Sequence, residues 1–180
     1  MYPFRRLLLT VLAARKQGAL DIHDIHVSHH RCMPWDLDGF LELNNGRTLT
    51  LYDLGRFGAA QRVGLIDVLK RERWALTVAG SSVRYRKRVR LWDRIEMRTR
   101  LTGWDDRFFY LEQSMWVRGS CTSHALLRTA VTDRNGVVVP DRVKAALGVD
   151  DPSRPLPDWI AAWTEAEAQR PWPPMQDVPS

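Results

Sequence analysis

Carboxylates and carboxamides crowd one short stretch, WDLDGFLELNNGR, residues 35–47. Asp36 and Asp38 come first and Glu42 follows. Asn44, Asn45, Gly46 and Arg47 close the stretch where a helical pattern begins. A carboxylate at the mouth of a helix can serve as general base for water or as direct nucleophile. The first N–H groups of the helix carry partial positive charge and can polarise a carbonyl oxygen. Gly46 has no side chain to keep a substrate from that backbone. The same residues also have plain structural uses. An aspartate in an Asp/Gly loop bonds its own backbone, and Asn44 or Asn45 is a natural N-cap. From the residues alone, the turn role is the stronger reading for Asp38 and capping the stronger one for the asparagines. Asp53 and Arg56, three apart on the helix, read as an ion pair.

A second constellation is cationic. In Ser82–Arg90, Arg84, Arg86, Arg88 and Arg90 alternate, so a strand would turn all four to one face. A hairpin at Trp92 would set Arg88 opposite Glu96, Arg86 opposite Arg98 and Arg84 opposite Arg100. Like charges directly opposed are unfavourable, so this face is expected to meet water, phosphate or an acidic surface such as the C-terminal tail. Three readings stand: a solvated sheet face, a phosphate site suited to the guanidinium fork, and nucleic acid. Tyr85 would point away from the arginines, against the third. Four histidines, His23, His26, His29 and His30, split between two strand faces, so no metal site is expected. Cys121 and His124 fall on opposite faces of a strand. No GxSxG, P-loop or GxGxxG pattern occurs.

These groups need elements to hold them. Residues 24–32 read as a strand and about Arg47–Val63 as a helix with apolar residues around most of its circumference, hence largely buried. Gly55 and Gly58 cost helix propensity and imply close approach of the backbone to another element. A short helix near Leu65–Arg73 precedes strands at Thr77–Arg90, Arg94–Gly103, Arg107–Arg118 and Ser120–Thr132. Asn135-Gly136 marks a further turn before Val137–Val139. The pattern is α+β, with a helix against one face of an antiparallel sheet. Residues 20–147 form this domain.

Residues 1–19 form a helix with an apolar centre and basic flanks, too short to span a bilayer. Arg15 and Lys16 follow the apolar centre without a small-residue cleavage pattern, so export is not expected. Such a helix can pack on the domain or a partner subunit, or make peripheral contact with an anionic membrane through residues 1–17. Residues 148–180 form a Pro/Trp-rich tail with a short helix, Asp158–Gln169, that packs through its tryptophans.

The loop, helix and sheet together resemble the hotdog-fold acyl-CoA thioesterases of the 4-hydroxybenzoyl-CoA thioesterase type. Acyl-ACP thioesterases share a loop D-x-D-x-x-x-H-x-N-N-x-x-Y; Asp36, Asp38, Asn44 and Asn45 match it, with Glu42 for the histidine and Thr48 for the tyrosine. Arg47, Asp53, Arg56 and GWDDRFFYLE, residues 103–112, add a closer likeness to the branch called thioesterase superfamily member six in animals and its bacterial relatives. The likeness spans roughly residues 25–147. It implies an antiparallel sheet wrapped around a long central helix, and a homodimer or dimer of dimers with sites between subunits. The implied reaction is hydrolysis of an aliphatic or aromatic acyl-CoA thioester without metal or organic cofactor. Asp38 would be base or nucleophile, with Asp36 and Asn45 beside it. Asn44, the amides near Gly46, and Arg47 would position and polarise the carbonyl, and Asp53 is a second candidate acid. Arg84, Arg86 and Arg88 would meet the phosphates of coenzyme A. Glu42 and Thr48, at altered motif positions, suggest the alternative of a non-catalytic acyl-CoA or fatty-acyl binding module. A basic-surface adaptor for nucleic acid or membrane is a third reading.

Composition bounds the choice. The 180 residues carry 27 basic and 21 acidic groups, a net charge of +6. Residues 84–100 alone account for +6, while the two ends offset each other. The excess charge therefore argues for one local anionic contact, not for a nucleic-acid-binding protein as a whole. Two cysteines exclude a disulfide scaffold and fit a reducing, cytoplasmic setting, with the inner membrane surface as the place of any peripheral contact.

Overall fold

The computed structural model describes residues 3–151 and 155–175. In chain order the elements are α1 (Phe4–Lys16), β1 (His26–Arg31), a 3-10 turn (Pro34–Asp36), α2 (Asn45–Arg62), α3 (Leu65–Glu72), β2 (Ala75–Tyr85), β3 (Arg94–Trp104), β4 (Phe109–Val117), β5 (Ser120–Asp133), β6 (Gly136–Val138), α4 (Pro140–Leu147) and α5 (Asp158–Ala168). Every strand pairing is antiparallel. The order across the sheet is β1-β3-β4-β5-β2, with β6 on the end of β5.

α2 starts where Asn44 caps it: Gly46 N–H and Arg47 N–H donate to Asn44 Oδ1 at 2.8 and 3.3 Å. It lies against one sheet face, burying Leu51, Tyr52 and Leu54 with Ile95, Met97, Met115, Ala125 and Leu127. Both glycines face that contact. A methyl at Gly58 would stand 2.5 Å from His26 Nε2, and one at Gly55 would overlap Met97 Sδ. Arg56 is buried in the same interface, donating to Asp53 at 2.8 Å and to Gln113 Oε1 at 2.9 Å. Gln113 in turn donates to Thr99 Oγ1 and to Tyr52 O, so the buried guanidinium sits in a satisfied polar network. A long helix against an antiparallel sheet is the hotdog arrangement.

GWDDRFFYLE builds the β3–β4 hairpin. Asp105 accepts from the Arg107 and Phe108 N–H groups and from the Tyr110 hydroxyl, at 2.6–2.8 Å. Glu112 pairs with Arg100 and His124. The opposite sheet face carries α5: Ile160 packs on Tyr110 and Leu126, and Trp163 stacks over Arg128. On the other side, α1 packs on α2, Leu7 reaches the main core, and Arg6 bonds both Asp36 (2.7 Å) and Arg31 O (2.9 Å).

Two expectations are corrected, and a third feature is new. The hairpin at Trp92 is absent. β3 already has β1 and β4 on its two edges, so β2 pairs with β5 instead, placing Arg84 opposite His124. β2 ends at Tyr85, and residues 86–93 cross the end of the sheet as a link: the Arg86 and Lys87 N–H groups donate to Thr122 O, Leu43 N–H to Val89 O, and Trp92 N–H to Cys32 O. Arg88 pairs with Glu42 at 3.0 Å, while Glu96 pairs with Arg98. Second, α5 covers β4 and β5 rather than the arginines of 84–90. Third, α4 is a regular helix that the patterning did not separate from loop. Its start is set by Pro140 at the first helical position and its end by Gly148 at φ 72°. Residues 152–154 of the proline-rich linker lie outside the described residues. Among the described residues no helix is long and apolar enough to cross a membrane.

Candidate functional site

Where α2 begins, the sheet end opens into a cavity of about 450 Å3. Three parts of the chain meet there: Asp38, Phe40 and Glu42 from the loop before α2, Asn45 and Thr48 from its first turn, and Tyr85–Val89 with Thr122 and Ser123 from the β2 end and β5. The link of residues 86–93 brings them together, because it is hydrogen-bonded to β5 on one side and to the loop on the other. Asp38, Asn45, Arg86 and Arg88, expected to act together, share this cavity.

Asp38 is half-buried. Its Oδ1 accepts from Phe40 N–H at 2.8 Å and more weakly from Glu42 N–H at 3.4 Å, and Asp38 N–H donates to Glu42 O. The turn role is therefore present, and the carboxylate still borders the cavity. Glu42, in the position of the family histidine, is held by Arg88. Ser123, which lines the cavity, has its Oγ 2.9 Å from the hydroxyl of the core residue Tyr52, and burial holds the Tyr52 phenol well above its usual range.

The remaining expected residues lie elsewhere. The Gly46 and Arg47 amides, expected to polarise a carbonyl, are occupied by Asn44 Oδ1, and none of these three residues lines the cavity. Asp36 is buried beside the loop, bonded to Arg6 and to Met33 N–H, while its carbonyl accepts from Asn44 N–H. It fixes the loop's shape and does not line the cavity. Asp53 pairs with Arg56 along α2, and Arg84 sits on β2 outside the cavity. The cavity residues that patterning missed are Phe40, Leu43, Tyr85, Lys87, Val89, Thr122 and Ser123. Lys87 had a signal in the charge run. Thr122 and Ser123 had none, since they matter only through the β2–β5 pairing.

A second, open groove of about 590 Å3 adjoins the first through Lys87, Arg88 and Thr122. It adds Arg90 and Arg118, with Asp93 accepting from Arg90 N–H and Arg118. The two spaces form a continuous cationic track. A small apolar cavity of about 100 Å3 lies toward the other end of α2, among Ala59, Val63, Leu101, Leu111 and Val131. Among the described residues, no group of three or more His, Cys, Asp and Glu converges as a metal site.

The fold and the cavity together define the class of protein. The chain belongs to the thioesterase-like superfamily, whose family model matches residues 32–164. That match runs past the boundary drawn at residue 147 and into α5. The chain is 40% identical over 111 residues to Protein THEM6 of Xenopus laevis, covering 61% of this chain and 54% of that protein. It is 33% identical over 112 residues to Protein THEM6 of Drosophila melanogaster, covering 61% and 58%. It thus spans about half the length of these curated relatives. Among solved structures, the probable thioesterase YbaW of Escherichia coli aligns with TM-score 0.63 at 17% identity, over 67% of this chain and 95% of that one. The DHNA-CoA thioesterase of Staphylococcus aureus aligns with TM-score 0.60 at 13% identity, over 80% and 91%. The fold is the hotdog fold of thioesterases.

Proposed function

We propose that the chain hydrolyses an acyl-CoA thioester in the cavity at the start of α2. One observation carries this reading: a single cavity joins the Asp38 carboxylate, the first turn of an 18-residue helix, and the cations Arg86, Lys87 and Arg88. Asp38 takes a proton from water, or attacks directly, at the thioester carbonyl. Because Asn44 occupies the next two amides, polarisation of the carbonyl falls to Asn45 and the positive end of α2. With water as nucleophile, the carbon–sulfur bond then breaks, the acid is released, and the coenzyme A thiolate takes up the proton that Asp38 removed. With direct attack, the bond breaks to leave an anhydride on Asp38, which water then hydrolyses to release the acid. The cationic track suits the phosphates of coenzyme A, with Arg88, Arg90 and Arg118 along its length.

The reading includes a homodimer joined along β2. That strand is an edge of the sheet, and its side chains are exposed along most of its eleven residues. Tyr85, at its end, also lines the cavity.

A second reading is a non-catalytic acyl-CoA binding module. It is favoured by the bonds that already engage Asp38 Oδ1 and by the Glu42–Arg88 pair at the cavity wall. A panel of aliphatic and aromatic acyl-CoAs with free-thiol detection separates the two. Hydrolysis is expected, with Asp38→Asn lowering kcat by about 100-fold or more while binding persists. Activity that survives Asp38→Asn removes Asp38 from the mechanism, and tight binding without turnover across the panel supports the binding module.

A further inference from the structure

We propose that the outward face of α1 docks on the surface of an anionic phospholipid bilayer. The helix has two apolar faces, and the fold uses one of them. On the inner face Leu7 joins the main core, Ala14 is buried, and Arg6 is fixed by Asp36 and Arg31 O. The outer face presents Leu8, Leu9 and Leu12 at 59, 58 and 44% exposure. Arg5 precedes these leucines and Arg15 and Lys16 follow them. None of these three cations forms an ion pair among the described residues, and α1 contains no acidic residue.

A leucine stripe bracketed by cations matches the boundary layer of a bilayer. The leucines enter the region between head groups and acyl chains, and the long basic side chains reach the phosphates. With 13 residues α1 is about 20 Å long, too short to span a membrane but suited to lying flat on it. The face is also separate from the edge strand β2. Arg6 and the Arg62–Gly18 bond hold α1 on the β1 side, and β1 and β2 are opposite edges of the sheet. A second copy is a poor occupant, because Arg5, Arg15 and Lys16 of two chains would be brought toward one another. The inference does not depend on the hydrolase reading.

The test is flotation of the full chain with vesicles of phosphatidylcholine, alone or mixed with phosphatidylglycerol. Binding to the mixed vesicles is expected to be about 100-fold tighter than to neutral ones. Leu8→Glu/Leu12→Glu is expected to weaken it by about tenfold or more, with the far-UV circular dichroism unchanged. Arg5→Gln/Lys16→Gln leaves the leucines in place and is expected to abolish the preference for anionic lipid. Equal binding to both vesicles, no binding, or a Leu8→Glu/Leu12→Glu variant that floats like the wild type overturns the proposal. A lowered mass in solution for that variant also overturns it, by assigning the face to a second copy.

Discussion

Asp36 and Asp38 are two positions apart and have different surroundings. Asp36 is buried under Arg6, thirty residues back along the chain, and Asp38 is bonded by its own loop at the cavity edge. Local spacing marks both as candidates but cannot separate them, because the separating contact comes from α1. Two histidines make a similar point about pH. Burial, with Arg62 nearby, lowers His26 to about 4. Burial, with Arg6, His29 and His26 nearby, lowers His30 to about 4. Below the unfolded value of 6.5 the unfolded chain binds protons that the folded chain refuses until about pH 4. Stability is therefore full above pH 6.5 and falls as pH drops from 6.5 to 4, by at most about 3 kcal/mol per histidine. Glu112 extends the loss. Its hydrogen bond from His124, aided by Arg100, lowers it to about 2, so its contribution disappears between pH 4.5 and 2. Thermal melts should show Tm falling steeply between pH 6.5 and 4, and His26→Gln/His30→Gln should flatten that slope. A wild-type Tm independent of pH over this interval would count against the assignment.

Among elements, α2 was the most legible. Its apolar circumference announced a buried helix, its asparagines announced a cap, and its glycines announced close approach, all of which the structure shows. The glycines give a test in which two effects oppose. Alanine at Gly58 gains about 1 kcal/mol of helix propensity, but its methyl meets His26 Nε2, and overpacking costs about 1–3 kcal/mol. The Cβ contact is too close for propensity to win. Gly58→Ala is expected to lower stability by about 1 kcal/mol or more, read as a lower urea midpoint with an unchanged slope. Strand neighbours were not legible. Alternation in Ser82–Arg90 shows which side chains share a face, but not that β5 is the partner or that the strand ends at Tyr85. The motif that most sharply marked the family, GWDDRFFYLE, shapes a hairpin at the end of the sheet away from the cavity. It therefore carries information about fold and little about chemistry.

At the scale of the whole molecule, the chain surrounds its sheet unevenly. α2 takes one face, α5 takes part of the other, and α1 lies toward the β1 edge. β2 remains an edge with Val78 exposed. Sedimentation is expected to give about twice 20.8 kDa, and Val78→Lys/Ser82→Lys, which charges the edge, to give the single-chain mass. An unchanged dimer would place the seam elsewhere. The strand order has a further consequence, for synthesis. β3, β4 and β5 pair with their neighbours in the chain and can assemble as soon as they are made. β2 is made before all three, yet its partner is the last of them. On the ribosome, β2 and the arginine link must wait in the open while two intervening strands are translated. The glycine and serines of β2, its own Arg84, and the cations that follow it, Arg86, Lys87, Arg88 and Arg90, work against premature pairing of a waiting strand. The charges that line the cavity in the finished molecule thus also protect the segment before β5 exists.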